Sequence, residues 1–226
     1  MTETRVNLTR KRLTTPRAAA IAGILFAVLY GAGLVLIRTS IPADLTADSA
    51  WLETNARTVS LALNLVPYAG IAFLWFIGVI RDRLGDLEDR FFATVFLGSG
   101  LLFLALTFVG AASAAGLLSS YAVEPNAMMA SGVFAYSRAV TYQILNIYAI
   151  RMAGVFMISL ATIWIRTGLM HRGWALLTYA LALVLLLSIS YILWVILIFP
   201  GWVLAVSVYF LILNLRHPSQ EPVGEI

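Results

Sequence analysis

The chain has 226 residues, of which 61% are hydrophobic and 12% charged, with a formal net charge of +4 and a mean hydropathy of +0.91. A soluble domain carries roughly 25% charged residues, so this composition excludes an ordinary water-soluble globule. Cysteine is absent, which excludes disulfides, thiolate chemistry and cysteine-ligated metals.

Several uncharged apolar runs reach about 20 residues, the length needed to cross a hydrocarbon core about 30 Å thick. The alternating segments of about ten residues that mark a β-barrel are not seen. The expected fold is all-α: one bundle of six transmembrane helices over residues 18–215, between a basic tail at 1–17 and a disordered tail at 216–226. Arg5, Arg10, Lys11, Arg12 and Arg17 precede the first span. A basic flank of this kind orients a membrane protein and needs no nucleic acid to explain it. The apolar run behind it is too long for a signal peptide and has no clear cleavage site, so it reads as an uncleaved span.

Span 1 is expected over 18–37, with Ala19, Gly23, Ala27 and Gly31 on one smooth stripe. Small residues at this spacing admit another helix at close range, here a helix of the same chain in preference to a dimer partner. A polar loop is expected over 38–57, with Trp51 resting at the membrane surface. Span 2 follows over 59–84, with Asn64 and Pro67 in its first turns and a kink at Pro67. The densest charge cluster, 80–92, reads as a tight hairpin. Gly85 suits the left-handed position past a helix end, and Asp86 suits the next N-cap, followed by Glu88 and Asp89. Arg81 and Arg83 suit the negative end of span 2.

Span 3, over 87–117, is rich in glycine and alanine and reads as a closely packed central helix. The connection 118–138 holds Glu124, Pro125 and Asn126, which could open a helix or re-enter the membrane edge. Span 4 is anomalous. Its uncharged run, 152–165, has only 14 residues, or about 21 Å of helix. The span must therefore reach back to residue 144, which puts Arg151 inside the membrane with Tyr148, Asn146 and Gln143 nearby. After a loop at 166–172, residues 174–215 run for 42 residues without a charge. This is the length of two spans, joined by a turn near 188–191, with a kink at Pro200-Gly201 inside the sixth.

Lysine and arginine set the orientation. Eleven fall on the side of the N-terminal tail, against three (Arg38, Arg57 and Arg138) on the other, with Arg151 buried. The expected location is the inner, or plasma, membrane, multi-pass, with both termini cytoplasmic.

Chemistry is sparse. His171 and His217 have no metal-ligand spacing, no span carries Asp or Glu within its apolar run, and no Gly-rich phosphate loop occurs. The reading is a non-enzymatic protein with no cofactor and no metal. Arg151 is the leading residue. An intramembrane guanidinium is costly and needs an offset: snorkelling, a carboxylate such as Glu53 or Glu124, or an anionic ligand. The ligand reading places Arg151, Tyr148, Gln143, Asn146, Asn64 and Tyr68 around an outward-facing polar pocket that binds or moves a small or lipid-like anion. The competing reading is a structural subunit that scaffolds a membrane-protein partner.

Two resemblances add expectations. Gly78, Asp82, Arg83 and Gly85 match G-x-x-x-D-R-x-G, which resembles the loop between spans 2 and 3 of major facilitator transporters. That likeness implies a cytoplasmic gate and half of such a transporter, although Asp86 and Leu87 stand where the family carries basic residues. The stretch 80–100 resembles small six-span bacterial membrane proteins of no assigned function, which implies an inner-membrane location.

Overall fold

The computed structural model describes residues 15–42, 50–84, 90–168, 170–187 and 194–216. The fold is all-helical. In chain order the helices are α1 (Thr15–Ser40), α2 (Ala50–Leu84), α3 (Arg90–Val123), α4 (Pro125–Ala130), α5 (Val133–Gln143), α6 (Ile150–Thr167), α7 (Arg172–Leu187) and α8 (Ile198–Arg216). A π-helical turn, Ile144–Ala149, fuses α5 to α6, and a 3-10 turn, Val195–Leu197, opens α8. Among the described residues, five helical segments are long and apolar enough to cross a membrane: α1, α2, α3, the fused α5–α6, and α8 with its 3-10 turn. The apolar α7 has 16 residues, about 24 Å at 1.5 Å per residue.

α6 and α7 run antiparallel. Gly154 of α6 meets Ala182 and Leu186 of α7, while nearer the other end Thr162 and Tyr179 share a hydroxyl contact of 2.7 Å. Trp202 of α8 donates through Nε1 to Thr178 of α7 at 2.9 Å. α8 also closes the bundle onto α1. A Cβ at Gly23 would fall 1.9 Å from Ser207 Oγ and 2.8 Å from Phe76, so the small-residue stripe of α1 serves packing within the chain. The end where α1 begins and α8 stops is called proximal below, and the opposite end distal.

The core has two parts. The larger is aromatic. Phe26, Phe73, Phe103, Phe156 and Phe199, one from each of these five long apolar segments, gather with ring centroids 4.7–6.4 Å apart. Edge-to-face and tilted pairs at this range are favourable for rings with opposed edge and face charge. They plug the middle of the bundle. The smaller part lies at the distal end, where Trp51, Leu52, Val59 and Leu63 of α2 pack with Leu117 of α3, Met128 of α4 and Phe134 of α5.

Several expected boundaries move. The polar stretch 38–57 is not one loop: α1 continues to Ser40 and α2 begins at Ala50. Trp51 is 5% exposed in the distal core, away from any surface. Pro67 therefore sits mid-helix in an unbroken α2. The connection 118–138 is also largely helical. Glu124 precedes Pro125 at the start of α4, Gly132 turns at φ 72°, and Arg138 lies inside α5. Pro200 falls in the first turn of α8 rather than its interior, where a missing N–H costs no intrahelical bond. α6 ends at Gly168, with φ 66°, a left-handed terminator that glycine adopts without steric cost. Residues 15–17 and Arg216, expected in the tails, belong to α1 and α8, while the expected terminator Gly85, the cap at Asp86, the turn at 188–191 and residues 1–14 and 217–226 fall outside the described residues.

Candidate functional site

Two arginines and an asparagine from distant parts of the sequence meet at the distal end. α1 stops two residues before Pro42, because the residue ahead of a proline resists the helical conformation. The last carbonyls of a helix find no partner within it. Here they bond to side chains of other helices: Asn55 of α2 donates to the Ser40 carbonyl at 2.9 Å. Just beyond, Arg138 of α5 donates to the Pro42 carbonyl at 2.8 Å. Arg38 stands in the same last turn, where the partial negative charge of a helix C-terminus favours a cation.

The Arg38 guanidinium donates to Oδ1 of Asn146, in the π-helical turn. Asn146 donates through Nδ2 to the Tyr142 carbonyl at 3.1 Å, which turns its oxygen toward Arg38. A π-turn inserts one residue into a helical register and often marks a functional site. Here it is seated by a close approach: a Cβ at Gly110 of α3 would fall 2.5 Å from Leu145. On the preceding turn, Thr141 donates to Ser113 of α3 at 2.9 Å.

These groups line a partly open cavity of about 120 Å³. Arg38, Arg138, Asn146 and Tyr142 give it a polar wall, and Leu34, Ile37, Leu145 and Ile196 an apolar one. Liquid water occupies about 30 Å³ per molecule, so about four waters, or one phosphate-sized group, would fill it. None of the described lining residues is acidic. A smaller chamber of about 30 Å³ continues inward to Tyr30 and Thr107. Beyond it the aromatic plug closes, since Tyr30 stacks on Phe26 and meets Phe103 edge-on.

The six residues expected to line the outward-facing pocket, Arg151 among them, are dispersed. Asn146 lines the cavity. Arg151 is half-buried and reaches back to the Ile147 carbonyl at 3.4 Å, within its own helix. Tyr148 is 58% exposed, and Gln143 and Asn64 are exposed as well. Tyr68 lines a separate apolar groove of about 620 Å³ between α1 and α2, with Ile21, Leu25 and Trp75. Of the expected hairpin residues, Gly78 faces open space, and Asp82 and Arg83 fall in the last turn of α2. Among the described residues, no three His, Asp or Glu side chains lie close enough together to hold a metal ion.

Sequence reasoning overlooked Arg38, Arg138, Thr141 and Tyr142. Arg38 and Arg138 had been counted as loop charges. The signal lay in that count: two of the three arginines on the sparsely basic side line one cavity. No protein-family profile, curated protein or solved structure matches the chain.

Proposed function

We propose that this is a six-span protein of the bacterial inner membrane, both termini cytoplasmic, that binds a small anionic group non-enzymatically at its outer face. α7 and α8 are then the fifth and sixth spans. The crowding of Arg81, Arg166, Arg172 and Arg216 at the proximal end supports a cytoplasmic placement for that end.

One observation carries the binding reading. Arg38, at the end of an apolar helix, is held by a neutral amide on the wall of a cavity that also receives Arg138. A guanidinium at membrane depth is costly, and an amide does not neutralise it. The planar fork of Arg38 suits a carboxylate or phosphate oxygen pair. The aromatic plug supports binding in preference to conduction, because an axial path would have to displace five packed rings.

The test is ligand-dependent stability in mild detergent. Millimolar glycerol phosphate is expected to raise the thermal midpoint of the wild type. Arg38→Gln, which keeps a donor to Asn146, is expected to fold with a similar unliganded midpoint and lose that rise. Equal responses in both proteins, or none in the wild type, would remove the reading. The connection 43–49 also contains Asp44 and Asp48. If Asp44→Asn or Asp48→Asn lowers the unliganded midpoint and Arg38→Gln cancels that loss, the cation is neutralised internally and the scaffold reading takes over.

A further inference from the structure

We infer that the anion is the phosphate of an outer-leaflet anionic glycerophospholipid, entering the cavity sideways from the bilayer. The inference rests on the anion-site reading above and adds the source of the phosphate.

The first argument is height. At 1.5 Å per residue, Arg38 lies about 32 Å along α1 from Arg17. By the same rise, Asn146 lies about 30 Å from Arg166 along α6 and the π-turn, and Ile196 about 31 Å from Arg216. Three separate elements thus bring the cavity walls to one level, about one hydrocarbon thickness from the proximal arginines. That level is where lipid phosphates meet the acyl region. Trp194, 53% exposed, stands at this level, as tryptophans do in an interfacial belt.

The second argument is shape. The segments of α2, α3 and α5–α6 are 31, 33 and 35 residues long, about 46–52 Å, so they continue well past that level and form the distal core. The α8 segment is 18 residues, beginning at Val195. The cavity therefore lies beneath the overhang of α5 and beside the 3-10 turn. On this side the gap between α1 and the π-turn is bridged by the Arg38–Asn146 hydrogen bond, Ile196 faces it at the same level, and Leu34, one turn below Arg38 on α1, continues the wall downward as apolar surface. A cationic upper wall over an apolar lower one matches a headgroup phosphate with its glycerol and first methylenes. A free anion would leave the apolar wall unused.

The experiment reconstitutes the full chain in phosphatidylcholine vesicles doped with phosphatidylglycerol, re-extracts it in mild detergent and quantifies retained lipid by mass spectrometry. Glycerol phosphate binding is measured in parallel. Phosphatidylglycerol is expected to be enriched at least tenfold over its share of the vesicle, and Arg38→Gln to abolish the enrichment. Arg38-dependent binding of glycerol phosphate without phosphatidylglycerol enrichment would overturn the lipid inference and leave the anion site standing. Enrichment that is equal in wild type and Arg38→Gln would mean annular lipid and also overturn it. Binding of neither ligand would remove both readings. Arg38→Lys guards against a folding artefact: it keeps the charge, and a partial enrichment, between wild type and Arg38→Gln, is expected because the fork is lost.

Discussion

Arg38 and Asn146 are 108 residues apart in sequence, and neither looks unusual in its own neighbourhood. Asn146 was legible as a polar residue in an apolar span; its partner was not, because nothing in a single helix says which other helix it will face. The stripe on α1 was more informative. It predicted close approach, and Gly23 is where that approach is tightest, with Ser207 and Phe76 occupying the space of a side chain. Gly23→Ala should therefore lower the thermal midpoint in detergent, by about 1–3 kcal/mol of overpacking. Ser207 makes the complementary prediction. Its hydroxyl is buried with no hydrogen-bond partner, and an unpaired buried polar group costs stability. Ser207→Ala should leave the midpoint unchanged or raise it, and a fall would mean the hydroxyl has a partner. Combining Ser207→Gly with Gly23→Ala should recover part of the loss, which a double-mutant cycle would read directly.

At the scale of elements, the errors share one cause. Residues 50–58, 118–123 and 133–143 are helical but polar enough to read as loops. Hydropathy reports where a helix leaves the apolar phase and is silent about where its backbone hydrogen bonds stop. Caps and breakers report the second quantity: Pro42 and Pro125 stand beside real boundaries, while Pro67, with no accompanying turn residues, does not interrupt α2. The π-turn was illegible for a different reason. It depends on Leu145 seating against Gly110 of another helix, a tertiary fact. Its role can be tested by shortening it. Deleting Ile144 should restore α-helical register and rotate α5 by about 100° relative to α6, one residue's share of a 3.6-residue turn. The α6 packing against α3 and α7 should survive. The Thr141–Ser113 and Arg38–Asn146 bonds should break, and glycerol phosphate should no longer shift the midpoint. A deletion variant with unchanged ligand response would show that the register is irrelevant to the site.

For the whole molecule, the all-helical class and a multi-pass build could be read from composition and apolar run lengths. The number of spans could not, because α7 is short and the turn that would separate it from α8 carries no charge. The absence of cysteine makes orientation easy to probe. Ser131→Cys, at the distal end, should react with an impermeant thiol reagent in intact cells, and His171→Cys, at the proximal end, should be shielded until the membrane is breached. The opposite pattern would invert the assignment. The aromatic plug predicts that Phe199→Ala destabilises by cavity formation. The loss should fall below the about 3–5 kcal/mol typical of water-soluble cores, since the side chain exchanges with lipid and not with water. The separate distal core has a consequence for how the protein comes apart. Trp51 packs there, while Trp164 and Trp202 belong to the aromatic core. On the proposed placement the distal core faces water and the aromatic core faces lipid; two such cores need not melt together, so the chain should depart from two-state unfolding. Urea acts through water and should loosen the distal core first, reported by Trp51 fluorescence, while the bundle below stays intact until a denaturing detergent replaces its lipid. One chain would then show two midpoints, each set by a different solvent.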